Sequence, residues 1–390
     1  MTTESVRYDA VVIGARCAGA STGMLLARRG LRVLIADGGL YGTDTLSTHA
    51  LMRGAVLQLH RWGLLDKLVD AGTPAVRTTR FYYGDEAIDV QIKPADGVEA
   101  LYAPRRTLLD RVLVDAARSS GAEVVYQTRL VDLIRSSDNC VRGAVLQDAH
   151  GRRHEIRAGI VIGADGMKSS LARLVGAEVS RKGRYSTATV FGYWSGLEIE
   201  GYHWHYRQGV AAGTIPTNDG LTIVFAAVPA ERFREEIAAD VSNGYYRLLA
   251  ECASDLALSV KRMGRREGNL RGFLGQPGFL RKPWGPGWAL VGDAAYFRDP
   301  LIAHGITDAL RDAEFLARAV AEGTGAALNG YQAIRDELCL NLFQTSDEVA
   351  SFQWSLEELK EKHFRMSKEM KREVKALVEL HGRAETLSLS

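Results

Sequence analysis

The spacing of apolar residues changes along the chain, and each change marks a new element. Residues Tyr8–Ile13 form a short β-branched run that stops at Gly14-Ala15-Arg16-Cys17-Ala18-Gly19. Helical spacing follows from Ala20 to Arg29, with Gly30 placed to cap the helix. Leu31–Ala36 then reads as a second strand that ends at Asp37. Strand, glycine turn, helix, strand and acid open a dinucleotide-binding βαβ unit. Further on, 101–117 reads as a helix, Glu123–Gln127 as a strand, and Ile160–Ile162 as a strand running into Gly163-Ala164-Asp165-Gly166.

Between about Thr187 and Pro229 the pattern turns alternating and aromatic-rich. Arg207-Gln208-Gly209 and Asn218-Asp219-Gly220 punctuate it, which predicts antiparallel hairpins. A buried strand returns near Trp288–Val291, meets Gly292-Asp293, and precedes a helix over 305–321. Residues 331–380 read as nearly continuous amphipathic helix, whose charge runs suit a solvated face or, more sharply, a partner surface. The expected fold is α/β: a Rossmann-like domain from residues 1–75, 101–175 and 276–330, interleaved with an antiparallel sheet domain from 76–100 and 176–275. Residues 331–390 form a C-terminal helical segment.

Composition narrows the function. The 390 residues carry 49 Lys+Arg against 47 Asp+Glu, and this balance lacks the basic excess of a nucleic-acid binder. With 46% hydrophobic residues, a chain of this length can bury a large core. Cys17, Cys140, Cys252 and Cys339 are widely spaced, which suits free thiols in a reducing compartment better than a disulfide frame or zinc site. No apolar run approaches the ~18 residues of a membrane span, and no basic segment precedes the first apolar run. The expectation is a soluble cytoplasmic enzyme.

The candidate chemistry lies in three glycine turns. Glycines at the first turn let the backbone approach a pyrophosphate held at a helix N-terminus. Asp37, 23 residues beyond Gly14, has the reach to accept hydrogen bonds from an adenosine ribose. Arg16 replaces the second glycine of G-x-G-x-x-G. Asp165 and Asp293 each put a carboxylate at a strand end, suited to sugar or ribityl hydroxyls.

In this order and spacing, the motifs resemble those of the flavoprotein monooxygenases of the p-hydroxybenzoate-hydroxylase-like superfamily, which also includes flavin-dependent halogenases and geranylgeranyl reductases. The resemblance covers roughly residues 8–330. It implies an FAD-binding domain and a substrate domain. Gly14, Arg16, Ala18, Gly19 and Asp37 would hold the adenosine and pyrophosphate, with Asp165 at the second motif and Gly292-Asp293 at the ribityl chain. Arg106 occupies the family's arginine position at the start of the helix between the first two motifs. The loop Pro300-Leu301-Ile302-Ala303-His304-Gly305-Ile306 would place Pro300, Gly305 and Ile306 beside the flavin ring.

The implied activity is hydroxylation of an aromatic or electron-rich small molecule by FAD and O2 through a flavin C4a-hydroperoxide. A reductase of an unsaturated, isoprenoid-like substrate and a halogenase are the alternatives on the same fold. The halogenase is disfavoured because no lysine occurs between Lys67 and Lys93 and Trp194-Ser195-Gly196 is not the W-x-W-x-I-P motif. No second glycine-rich βαβ unit follows, so electrons would come from NAD(P)H bound transiently at the FAD domain or from a separate flavin reductase.

His304 stands where hydroxylases resembling this chain carry Gln, and it is a candidate acid–base group. His49 follows the second strand and is the other catalytic candidate. His203 and His205 share one face of a strand, with Tyr202, Trp204 and Tyr206 on the other. The strand suits an aromatic substrate wall with His203, Trp204 and His205 as contacts. A metal is not expected, because no third ligand accompanies the two histidines.

Overall fold

A computed structural model describes residues 7–388. Its first sheet is mostly parallel and is built around the strand Arg7–Ile13. Val33–Ala36 pairs on one side and Arg153–Gly163 on the other, so that Val12 lies opposite Ile35 and Ile162. Such double pairing requires apolar residues on both faces, which the run from Ala10 to Ile13 supplies. Glu123–Val125 extends one edge, and Trp288–Leu290 and Trp284–Gly285 extend the other. The helices Cys17–Ala27, Arg106–Ser119 and Gly305–Glu322 pack on it.

The second sheet has seven strands, in the order Arg265–Phe273, Thr187–Ser195, Thr222–Pro229, Val210–Pro216, Tyr202–Arg207, Thr78–Tyr83 and Glu86–Gln91. All its pairs are antiparallel except Tyr202–Arg207 with Thr78–Tyr83. Both expected turns occur, and Asp219 and Gly220 take φ of +64° and +66°, the left-handed pair of a tight hairpin. The inner face (Phe191, Tyr193, Tyr202, Trp204, Tyr206 and Phe225) joins the same core as the first sheet's helices. The outer face packs on the helices Val241–Cys252 and Ser254–Arg262.

Several boundaries differ from the sequence pattern. The first helix begins at Cys17, because Arg16 is extended (φ −91°) and serves as its N-cap. Leu101–Arg105 is not helical: Leu101 bridges Val76, and Pro104 disfavours helix in the residue before it. The strand before Asp165 spans Arg153–Gly163 and pairs with an unpredicted hairpin of Arg129–Arg135 and Val141–Gln147.

The tail forms two helices, Gly325–Ala350 and Leu356–Ser388. The last one spans both domains. Lys360 pairs with Glu86 at 2.6 Å on the sheet's edge hairpin, and Arg61 donates to the Leu377 carbonyl at 2.8 Å beside the first domain. Between them, Tyr83 Oη lies 2.7 Å from His363 Nδ1, and the His363 ring packs 4.8 Å from that of Tyr206.

Burial pushes the His363 pKa down to about 4. The unfolded chain therefore binds an extra proton between about pH 4 and 6.5, so stability falls as pH drops through that window and is fully present above it. His363→Gln keeps an acceptor for Tyr83 but cannot titrate. Urea unfolding at pH 5 and pH 7.5 should show a pH dependence smaller than the parent's by roughly 2 kcal/mol. Equal pH dependence in both proteins would contradict this.

Candidate functional site

The three glycine turns meet at one place. Gly14 has φ +104°, and a Cβ there would lie 2.4 Å from the Ala164 carbonyl oxygen. A Cβ on Gly19 would lie 1.8 Å from the carbonyl oxygen of Gly14, and one on Gly292 2.8 Å from the Ala18 Cβ. The first turn is thus wedged against the Ala164-Asp165 turn, and the Gly292-Asp293 turn against the first helix. A larger residue at any of these glycines would force them apart. Arg16 needs no glycine, because its φ is negative.

Arg16 ties the rim together. It pairs with Asp110 at 2.9 Å and reaches Thr43 Oγ1 and the Thr43 and Asp44 carbonyls at 3.4 Å. With Ala15, Asp37, Thr43, Asp110 and Tyr126 it lines a cleft at the helix N-terminus. Asp37 accepts from the N–H groups of Ala15 and Gly39, both at 2.7 Å, which holds the cleft floor in shape. Arg106, at the start of its helix, is buried and forks onto Asp110 at 2.9–3.2 Å. Asp110 also accepts from Cys17 Sγ at 3.3 Å, and burial pushes that thiol's pKa up.

Two carboxyl groups lack the partners they need. Asp165 Oδ2 accepts from the Ser170 N–H at 2.6 Å, but its Oδ1 is buried without a partner among the described residues, and burial raises its pKa. Asp293 has no hydrogen bond to another described residue. Burial, reinforced by Asp308, lifts its pKa to about 7 against the opposing pull of Arg106 and Arg298. Hydroxyl donors from a ligand would satisfy both groups.

Nearby, His49 is buried in a left-handed conformation (φ +67°), with Nε2 2.6 Å from Tyr193 Oη. Burial, then the positive charge of Arg106, pushes its pKa down to about 3, so the ring is neutral. The Arg105 and Arg271 guanidinium groups lie 4.2 and 5.5 Å from the Tyr193 ring centre, and Asp44 pairs with them at 3.4 and 2.8 Å. Sequence reasoning found His49 but missed Tyr193, Arg105, Arg271 and Asp44. Alternation along 187–195 carried the signal for Tyr193, which shares the inward face with Phe191.

His304 does not stand free. Its Nε2 lies 3.0 Å from Glu373 Oε2 on the last helix, which limits the ring as an independent acid–base group. Pro300 opens a short turn after Asp299, and Gly305 and Ile306 begin the long helix. Asp299 anchors this loop by accepting from the N–H groups of Thr187 (2.6 Å) and Leu301 (3.0 Å). His304, Asp308 and Glu373 approach closely enough to share a cation, but Arg311 takes that role, 2.8 Å from Asp308 and 3.1 Å from Glu373.

The candidate substrate wall divides. Trp204 is buried on the inner face, 5.6 Å from the ring of Phe225. Strand alternation puts His203 and His205 on the opposite face, where His205 stacks on Tyr82 at 4.1 Å. The two histidines therefore cannot line one pocket with Trp204.

Residues 7–261 match the FAD binding domain family. The chain belongs to this family. It is an FAD-dependent oxidoreductase. The menaquinone reductase of Mycolicibacterium smegmatis is 26% identical over 341 residues, covering 82% of this chain and 78% of that protein. A digeranylgeranylglycerophospholipid reductase of Methanosarcina acetivorans is 28% identical over 316 residues, covering 78% and 72%. Among solved structures, flavin-dependent brominase Bmp2 superposes with TM-score 0.78 at 20% identity, covering 95% of this chain and 93% of that one. PqsL of Pseudomonas aeruginosa, a probable FAD-dependent monooxygenase, gives 0.76 at 20%, covering 93% and 100%. These two likenesses concern the fold. Among the described residues, no helix of the flavoprotein is long and apolar enough to cross a membrane.

The residues present fit FAD. The Gly14 turn and Arg16 would take the pyrophosphate and Asp37 the ribose, while the free Oδ1 of Asp165 and the Asp293 carboxyl would accept from further hydroxyl groups of the ligand. Replacing Asp293 with Ala should weaken FAD binding by about 5- to 150-fold, the equivalent of ~1–3 kcal/mol for an unpaired donor. Flavin-fluorescence titration of the folded variant checks this, and parental affinity would remove Asp293 from the site.

Proposed function

We propose that this flavoprotein is a monooxygenase that hydroxylates an aromatic or otherwise electron-rich small molecule. Bound FAD would supply electron transfer and the activation of O2. The protein's part is to bind, orient and exclude water. The observation that carries this reading is the buried His49–Tyr193 pair beside the FAD cradle. With Nε2 as acceptor, the neutral His49 ring takes the Tyr193 Oη–H and leaves the phenolic lone pairs for another donor. A phenolic substrate could donate its hydroxyl to Tyr193, which His49 holds in place; the pair orients the phenol and does not take its proton. Such positioning suits hydroxylation of a phenol. Phe191, Trp204 and Phe225 on the same sheet face supply aromatic surface and exclude water.

Electrons would arrive from NAD(P)H bound at the FAD domain or from a separate flavin reductase in the cytoplasm. The small-molecule substrate and O2 complete the partners, with neither nucleic acid nor membrane required. The named activities of the two curated relatives favour a second reading, reduction of an isoprenoid-like double bond. The two differ in oxygen demand. Hydroxylation predicts substrate-dependent O2 uptake with an oxygenated product. Anaerobic saturation of a polyprenyl substrate by the reduced enzyme, without O2 uptake on any phenol, would replace it.

Asparagine tolerates the left-handed backbone at position 49. His49→Asn should lower kcat/KM by about 10²-fold, the cost of misplacing the substrate. Tyr193→Phe should do the same, and the double variant should lose little more than either. FAD affinity should stay at the parental value in all three. Full turnover in either single variant would dismiss the pair's positioning role.

A further inference from the structure

The last helix lies beyond the residues matched by the domain family, yet its Glu373 is fully buried against the loop and helix that follow the third glycine turn. Glu373 Oε2 meets His304 Nε2 at 3.0 Å and Arg311 Nη1 at 3.1 Å. Arg311 continues to Asp308 at 2.8 Å and Asp312 at 2.7 Å, and Asp308 meets Arg298 at 2.6 Å. Gly54 on a neighbouring helix makes room, since a Cβ there would lie 2.8 Å from Glu373 Oε1.

The charges in this cluster are unequal. Arg298 and Arg311 face Asp308, Asp312 and Glu373. Burial works against the Glu373 carboxylate, but His304 and Arg311 more than offset it and hold its pKa below the usual range. Glu373 therefore accepts and His304 donates from Nε2–H, which fixes the orientation of the ring. His304 Nδ1 is also buried, with no partner among the described residues. A buried Nδ1 left unpaired costs free energy that a ligand group would recover. Asp293 lies close enough to Arg298 and Asp308 for each to shift its pKa, so the cluster adjoins the cradle assigned to FAD.

The geometry points to Glu373 as a positioning residue for the flavin: by holding His304 Nε2, it presents His304 Nδ1 to a polar edge of the bound ring. This inference rests on the FAD assignment and is independent of whether the reaction is hydroxylation. A hydrogen-bonding group held there stabilises the reduced flavin, whose ring gains protons and negative charge, so the Glu373–His304 pair raises its midpoint potential.

The test is the two-electron midpoint potential of the FAD-loaded protein, measured anaerobically at one pH for parent, E373Q, H304Q, the double variant and E373D. The potential should fall in E373Q and H304Q by about 30 mV or more, a tenfold change in the reduction equilibrium. The double variant should fall no further than the larger single effect, and E373D should recover part of the loss. A parental potential in E373Q, or additive shifts in the double variant, would overturn the inference. If E373Q does not fold, H304Q carries the same test, because it removes Nδ1 and leaves Glu373 paired to Arg311. FAD uptake by these proteins with an unmoved potential would reject the His304 contact while leaving the FAD assignment standing.

Discussion

Everything in the site depends on backbone contact between three turns that are distant in sequence. Gly14 meets Ala164, Gly19 sits over Gly14, and Gly292 meets Ala18, all at separations that leave no room for a Cβ. These contacts bring the first helix N-terminus, Asp165 and Asp293 to one seam. A pyrophosphate can then meet backbone N–H groups at close range while hydroxyl groups of the same ligand reach the Asp293 carboxyl and the free Oδ1 of Asp165. The parallel sheet beneath makes the seam possible, because Arg7–Ile13 and Arg153–Gly163 deliver two of the turns from adjacent strands in fixed register. Trp288–Leu290, next in order, delivers the third.

The second constraint is the covering of this seam by the aromatic face of the seven-stranded sheet. Tyr193 projects from that face to His49, while Arg271 and Arg105 approach its ring from the two domains. The last helix secures the arrangement from outside, paired at one end with the sheet hairpin and further along with the loop at His304. Binding chemistry comes from the first domain, aromatic surface from the second, and a tie between them from the tail.

The first turn and Asp37 were legible because their signal is local: a strand, glycines, a helix and an acid within one βαβ unit. The helix after Pro104 was read too early because Leu101 is committed to Val76 by a distant bridge. The hairpin Arg129–Gln147 escaped because its pairing shifts register near Asp132 and again near Arg135, which breaks the alternation that reveals strands. Tyr193 was hidden for a different reason: its partner His49 is 144 residues away. Glu373 sits in a helix so rich in charge that a buried carboxylate looks like a solvated one. The division of His203 and His205 from Trp204 was already implied by strand alternation, which put them on opposite faces.

The central claim is that close approach of the glycine turns creates the FAD cradle. The most direct measurement is the FAD affinity of the apo-protein with Gly14 replaced by Ala. That single methyl group adds backbone strain at φ +104° and a clash with the Ala164 carbonyl. The parent should take up one FAD per chain, and the variant should bind at least about tenfold more weakly, the effect of ~1.4 kcal/mol. Circular dichroism of the variant should show the second sheet intact. A folded Gly14→Ala protein with parental FAD affinity would contradict the account.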